Sequence, residues 1–222
     1  KIEAGHFALE NAPLSLDYVM SNLLEVMSGL AKEKGLNLNL LQLPELPGEL
    51  LGDAQRLGQI LFNLVGNAIK FTSTGQITVS ATVTRDWGAG IEIRFSVQDT
   101  GIGIPVEKQK NIFEAFVQAD NSTSRVYGGT GLGLAISQTL VLLMGGNLGL
   151  NSREGEGSEF WFSVPFNFAP KSIAGRTTIH SRKFSDEPNL QGIRIFVVDD
   201  GPTNLGIATM LLQMEGAECK TA

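Results

Sequence analysis

At 222 residues and 23.8 kDa the chain has room for one sizeable domain, or for one domain with fragments attached. Its 42% hydrophobic and 18% charged residues describe an ordinary globular protein, and no apolar stretch reaches the ~20 residues that a membrane span needs. A net charge of −6 argues against nucleic-acid binding, and a single cysteine, Cys219, excludes an internal disulfide framework or a cysteine metal site and suits a reducing cytoplasm.

Lys1–Pro13 has no apolar core of the kind a signal peptide carries, and the missing initiator Met sets the expectation of a segment from a longer protein. Ser15 is placed to cap a helix running to about Lys34. Leu16, Val19, Met20, Leu23, Leu24, Met27 and Leu30 recur at helical spacing, and Gly35 stands as its stop. Leu36–Leu40 alternates like a half-buried strand. After the turn-like Pro44–Glu49, Asp53 can cap a second helix to about Phe71, with Leu57, Ile60, Leu61, Leu64, Val65 and Ala68 on its buried side.

Two alternating strands follow, one with Ile77, Val79, Ala81 and Val83 on a single face, the next with Ile91, Ile93, Phe95 and Val97. Arg85–Gly90 reads as the hairpin between them. Gln118–Gly129 is polar and irregular. A helix from about Leu132 to Met144 leads through Gly145–Gly146 into "NLGLNS", and Ser158–Phe166 makes a last strand with Phe160, Phe162, Val164 and Phe166 on one side. Residues 168–191 read as a linker rich in Pro, Ser, Thr and charge. A new apolar strand starts at Ile193 and ends in Asp199–Asp200. The pattern is α+β, a mostly antiparallel sheet covered by helices on one face.

Three stretches carry chemistry. Asn63, Asn67 and Lys70 are spaced i, i+4, i+7 and form one polar stripe on the second helix. A solvated face is the plain alternative, but such faces favour Glu and Lys over paired Asn, a poor helix former. Amide oxygens suit Mg²⁺, and a lysine ammonium suits phosphate. Asp99 ends a buried-looking strand and is followed by Gly101 and Gly103. It is either a turn-forming Asp or an acceptor for the exocyclic amine of adenine. In the second case it selects ATP over GTP, because guanine presents a carbonyl at that position. The run Gly128–Ser137, "GGTGLGLAIS", lacks the Lys-Ser/Thr of a P-loop and follows no strand, so alone it reads equally as a glycine turn before a helix.

Together, "LFNLVGNAIKF", "DTGIGIP", "IFEAFVQAD", "GGTGLGLAIS" and "GEGSEF" resemble, in order, the five conserved boxes of the sensor histidine kinase ATP-binding domain, over about Leu51 to Phe166. The resemblance implies the fold shared with gyrase-type ATPases: a two-layer sandwich of helices over one mixed, mostly antiparallel sheet, with ATP between the helices under a mobile lid. It implies Mg²⁺ on Asn67, with Asn63 beside it and Lys70 on phosphate oxygens. Asp99 is implied at the adenine, with Gly101, Gly103, Ile104 and Ser158 around the base. Phe113 and Phe116 anchor the near end of the lid, Arg125 in the lid stabilises charge on the γ-phosphate, and Gly129, Thr130, Gly131, Leu132 and Gly133 form the far hinge and phosphate turn. Where gyrase-type enzymes have a Glu that activates water, Asn63 offers no base, which favours transfer over hydrolysis.

The expected acceptor is a histidine on a dimerisation domain, and residues 1–14 resemble the end of that domain's second helix. Neither His6 nor His180 fits that role. The catalytic domain is then residues 15–167. Residues 192–222 resemble the start of a receiver domain, with Asp199 and Asp200 as its acidic pair and Gly201 departing from the usual polar residue; a lone strand and helix there are expected to be disordered or docked on the kinase domain. The expected partners are ATP, the dimerisation and receiver domains and a partner histidine kinase, with the chain being the cytosolic part of a membrane-anchored sensor. Two other functions stay open: a stand-alone ATPase clamp, and a module that modulates a partner kinase.

Overall fold

Side chains alternating with period two make β4 (Gln76–Asp86) and β5 (Gly90–Asp99) half-buried ribbons. They pair antiparallel across a tight connection in which Asp86 Oδ1 accepts the Gly88 N–H at 2.7 Å. The computed structural model describes residues 9–41, 43–46, 48–113, 132–169, 193–197, 209, 212 and 217–221. The chain divides into two compact units, residues 1–170 and 171–222.

In the first unit β7 (Gly157–Phe168) lies antiparallel on the other edge of β5, where the rings of Phe95 and Phe162 stack with centroids 4.8 Å apart. The far edge of β7 is shared. β6 (Asn147–Arg153) covers its first half, and β3 (Leu50–Gly52) pairs with Asn167 and Phe168. β1 (Ala12–Leu14) adds to β3, and β2 (Asn37–Leu40) adds to β4 as the one parallel pair in this sheet. The order is β1-β3-β7-β5-β4-β2, with β6 on β7. The sheet is mixed and mostly antiparallel, as the alternation and the family resemblance both led us to expect.

Two long helices, α1 (Leu16–Glu33) and α2 (Ala54–Phe71), and the later α4 (Gly133–Leu143) pack on one another and on the sheet, with α2 in the middle; α3 (Val106–Gln109) is a single turn. Leu57, Ile60, Leu61, Leu64 and Val65 of α2 are fully buried against Ile77, Val79, Ile93 and Phe95. Each such side chain contributes about 1.5–3 kcal/mol by leaving water. Both long helices begin on the expected caps. Ser15 Oγ accepts the Tyr18 N–H at 3.2 Å, and Asp53 Oδ1 accepts the Arg56 N–H at 2.9 Å. Among the described residues no helix is long and apolar enough to cross a membrane.

Two expectations need correction, and some details were not foreseen. Val83 keeps the face of Ile77, Val79 and Ala81, opposite Ile93, but it is exposed at the point where the register then shifts toward Arg85. Ala12–Leu14 is not the tail of a helix. It is a strand on the sheet edge, where Pro13 is tolerated, and Leu14 is buried in the core of this unit. β3 and the one-turn α3 had no periodic signal long enough to show. The second unit is not a lone strand and helix either. β8 (Arg194–Val197) pairs in parallel with a second strand, β9 (Glu218–Thr221).

Candidate functional site

α2 presents its apolar residues to the core and leaves Asn63, Asn67 and Lys70 half-buried along one side. At the Asn63 end this stripe meets the start of α4. Asn63 Nδ2 donates to Ser137 Oγ at 2.8 Å, and the backbone of Gly133 runs so close that a Cβ there would collide with Asn63 Oδ1 and lie 3.0 Å from its Cγ. A side chain at 133 would push the Asn63 amide aside. The N-cap of α4 is Leu132, whose side chain has no hydrogen-bonding group, in contrast to Ser15 and Asp53 at the starts of α1 and α2.

At the other end, eight residues and ~12 Å along the helix, Phe71 meets the turn after β5. Its carbonyl accepts the Ile102 N–H at 3.4 Å, and a Cβ on Gly101 would lie 2.5 Å from that oxygen. Lys70 Nζ sits 4.9 Å from the centroid of the Phe71 ring. Its pKa is lowered, first by burial and then by the like charge of Lys34. Lys34 Nζ in turn donates to the carbonyls of Ile69 and Lys70, at 2.9 and 3.1 Å, and so caps the C-terminus of α2.

Asp99 closes this end. It is 6% exposed, and Oδ1 accepts the Gly101 N–H at 2.8 Å. Burial raises its pKa, against the opposing pull of backbone hydrogen bonds from Gly101 and Ser158. Ser158, opposite Asp99 in the β5–β7 register, is also buried. Its hydroxyl lies 2.9 Å from Ser152 Oγ, which also accepts the Ile104 N–H at 2.8 Å. Gly103 adopts φ +66, a left-handed conformation, with its Cα pressed on the carbonyl of Arg153. Gln109 Nε2 donates to the carbonyls of Ile104 and Ser152, at 2.8 and 3.0 Å.

Phe113 packs edge-on to Phe160, centroids 6.5 Å apart, and Leu132 stands at the N-cap of α4. Phe116, Arg125, Gly129, Thr130 and Gly131 lie outside the described residues, as do His6, His180, Asp199, Asp200 and Gly201. The structure thus brings Asn63 to Gly133 and brings Asp99, Gly101 and Ser158 to the end of α2. Sequence reasoning missed Ser137, Ser152 and Gln109, whose roles depend on residues 43 to 74 positions away. A polar recess of about 280 Å³ borders Asp99, between Gln98, Asn151, Arg153, Glu156 and Glu159, and includes none of the α2 stripe.

Comparison with known proteins decides what this arrangement belongs to. Residues 52–168 match the family described as histidine kinase-, DNA gyrase B-, and HSP90-like ATPase. The chain belongs to that family. The family segment runs from the start of α2 to the end of β7 and so contains the stripe, the Asp99 turn and α4. Among curated relatives, the sensor histidine kinase GacS of Pseudomonas protegens is 46% identical over 164 residues, 74% of this chain and 18% of GacS. The hybrid signal transduction histidine kinase K of Dictyostelium discoideum is 35% identical over 230 residues, 100% of this chain and 19% of that kinase. The chain therefore spans less than a fifth of these relatives. Among solved structures, full-length ShkA in complex with AMPPNP superposes with a TM-score of 0.65 at 32% identity, covering 99% of this chain and 42% of ShkA. The family member described here shares its catalytic domain with sensor histidine kinases, hybrid kinases among them.

Proposed function

We propose that the first unit binds Mg²⁺-ATP and serves a hybrid sensor histidine kinase as its catalytic domain, passing the γ-phosphoryl group to a histidine on a dimerisation domain. The observation that carries this is the α2 stripe held between two different ends. One end meets the start of α4, where the backbone N–H groups of a helix first turn favour phosphate. The other meets Asp99, a buried acceptor suited to the amine of adenine. The AMPPNP complex of ShkA supports the same reading.

The donor set fits Mg²⁺. Among the described residues no group of three His, Cys, Asp or Glu is placed to hold a metal, so the ion would rest on amide oxygens and the nucleotide's own phosphates, its habit in such sites. Asn67 would hold it, with Asn63 beside it and Lys70 toward the phosphates. When bound, the ion supplies charge neutralisation on the transferring phosphoryl group. Gly101 and Gly103 give the base close access to backbone, with Ile104 and Ser158 beside it. Arg125 and the glycines from Gly129 to Gly133 complete the phosphate side in this reading.

Asn63 is tied to Ser137 and accepts no proton at neutral pH, so water activation lacks a base and transfer is favoured over hydrolysis. The second unit is assigned to the start of a receiver domain on its parallel β8–β9 pair and on the full-length match to the hybrid kinase. Titration calorimetry of the chain with ATP and GTP, with and without Mg²⁺, tests the first step. Equal affinity for the two bases removes the role of Asp99. Transfer of label from ATP to a separately supplied dimerisation domain tests the second, and rapid steady-state phosphate release without an acceptor would favour the ATPase reading.

A further inference from the structure

We propose that Ser137 is a positioning residue for Asn63, fixing its side-chain amide and thereby coupling α4 to the stripe of α2 that faces metal and phosphate. The inference rests on the nucleotide reading above and goes beyond it. Ser137 lies in the second turn of α4 and is only 2% exposed. A hydroxyl in a helix interior is neutral to unfavourable, and its usual local outlet is the carbonyl four residues back. Thr139, two positions on, uses that outlet: its hydroxyl donates to the Ala135 carbonyl at 2.9 Å. The oxygen of Ser137 instead receives Asn63 Nδ2 from the neighbouring helix at 2.8 Å.

The amide has two ends, and both are held. Gly133 and Ser137 stand four residues apart and share one face of α4. Ser137 takes the nitrogen, and the bare backbone of Gly133 lies against Oδ1. With the nitrogen committed, Asn63 presents its oxygen, a hard neutral ligand, at the start of α4. That is where the N–H groups of a helix first turn are directed at an anion. Any shift of α4 that moves Ser137 must rotate this amide or break the bond. A residue without an acceptor at 137 frees the amide to turn, while the apolar packing of Leu140 and Val141 on the core stays in place.

The test is a pair of single variants and their combination in the 222-residue chain: Ser137→Ala, Asn63→Ala, and both. Calorimetry measures AMPPNP affinity with and without Mg²⁺. Ser137→Ala is expected to weaken Mg²⁺-AMPPNP binding about tenfold, the lower end of what losing an outer-shell partner of a metal site costs. Binding without Mg²⁺ should stay within about twofold, and the effect should vanish in the Asn63→Ala background. An unchanged affinity, an equal loss with and without Mg²⁺, or a loss that persists without Asn63 overturns the proposal. If Ser137→Ala fails to fold, the wild-type chain still decides by NMR. A hydrogen-bonded Asn63 side-chain amide shows one displaced, exchange-protected proton, and two solvent-like protons overturn the proposal. A wild-type chain that binds no AMPPNP under any condition refutes the nucleotide reading itself.

Discussion

Two carboxylates on adjacent strands, almost side by side, live under opposite rules. Asp99 and Ser158 are paired in the β5–β7 register, and the next pair is Gln98 and Glu159. Asp99 points to the helical side and is buried; backbone N–H groups of Gly101 and Ser158 meet its charge, and burial pushes its pKa up. Glu159 points to the open side. Asn151 donates to its Oε2 at 2.9 Å and Ser96 to its Oε1 at 2.8 Å, with Arg94 3.9 Å away. Its pKa is held down, chiefly by the Asn151 hydrogen bond. The open face has satisfied its charge internally. The covered face keeps a carboxylate whose ionised form is disfavoured until a ligand donates to it, and a cost of that kind marks a binding site better than polarity alone.

The largest effect should come from removing the charge of Asp99. In Asp99→Asn the oxygen still accepts from Gly101, but an NH₂ replaces the second acceptor and opposes the adenine amine. ATP affinity should fall about 100-fold or more, with the preference over GTP lost. The free chain should melt a few degrees higher near neutral pH, because a buried charge is gone. Calorimetry and thermal melts of one sample check both halves. A variant that binds ATP normally and melts lower reverses the comparison.

Gly101→Ala comes next. Its Cβ would stand 2.5 Å from the Phe71 carbonyl, a backbone atom of α2, and 2.8 Å from Asp99 Oδ1, which the Gly101 N–H holds in place. Forcing the turn away from α2 should cost about 1–3 kcal/mol in denaturant unfolding and weaken ATP binding at the same time. An alanine on the open face offers a control. Ser96→Ala should remove one hydrogen bond to Glu159 and leave the Asp99 turn as it is.

The two carboxylates also predict opposite pH slopes. Asp99 titrates higher in the folded chain than its ordinary 3.8, so the native state holds more protons than the unfolded chain between those values, and stability falls as pH rises through that window. Glu159 titrates below its ordinary 4.5, so its contribution is present above 4.5 and is lost as pH falls through the lowered value. Melting curves from acid to neutral pH should therefore show Asp99→Asn gaining on wild type as pH rises and Glu159→Gln losing ground. Slopes of the same sign would refute the assignment.

The same contrast explains what was legible in the sequence. Asn63, Asn67, Lys70 and Asp99 stood out because each is the wrong residue type for the pattern around it: amides on an apolar helix, an acid ending a buried strand. The core was legible through repetition, as in Ile91, Ile93, Phe95 and Val97, all buried. Ser137, Ser152 and Gln109 broke no pattern. Their function consists of partners reached only after folding, such as Asn63 across 74 residues. β1 and β3 have three residues each, too few for a period of two to repeat. The shift in register after Val83, unlike a period, leaves no trace in composition.

The smallest effect should come from the open face, and it is the sharpest control. Arg94 lies 4.1 Å above the centroid of the Trp161 ring and 3.9 Å from Glu159, with about a third of each charged side chain exposed. Exposed pairs of this kind contribute about 0–1 kcal/mol, and the guanidinium retains the indole when the carboxylate is removed. Glu159→Gln should thus cost about 0.5 kcal/mol or less at neutral pH and leave ATP affinity within about twofold of wild type. The recess beside Asp99 reaches Glu159 as well, so the outcome is not trivial. If Glu159→Gln weakened ATP tenfold, the recess would belong to the nucleotide site and the two faces would form one binding surface. An unchanged affinity confines recognition to the side of the sheet where Asp99 is buried and α2 runs.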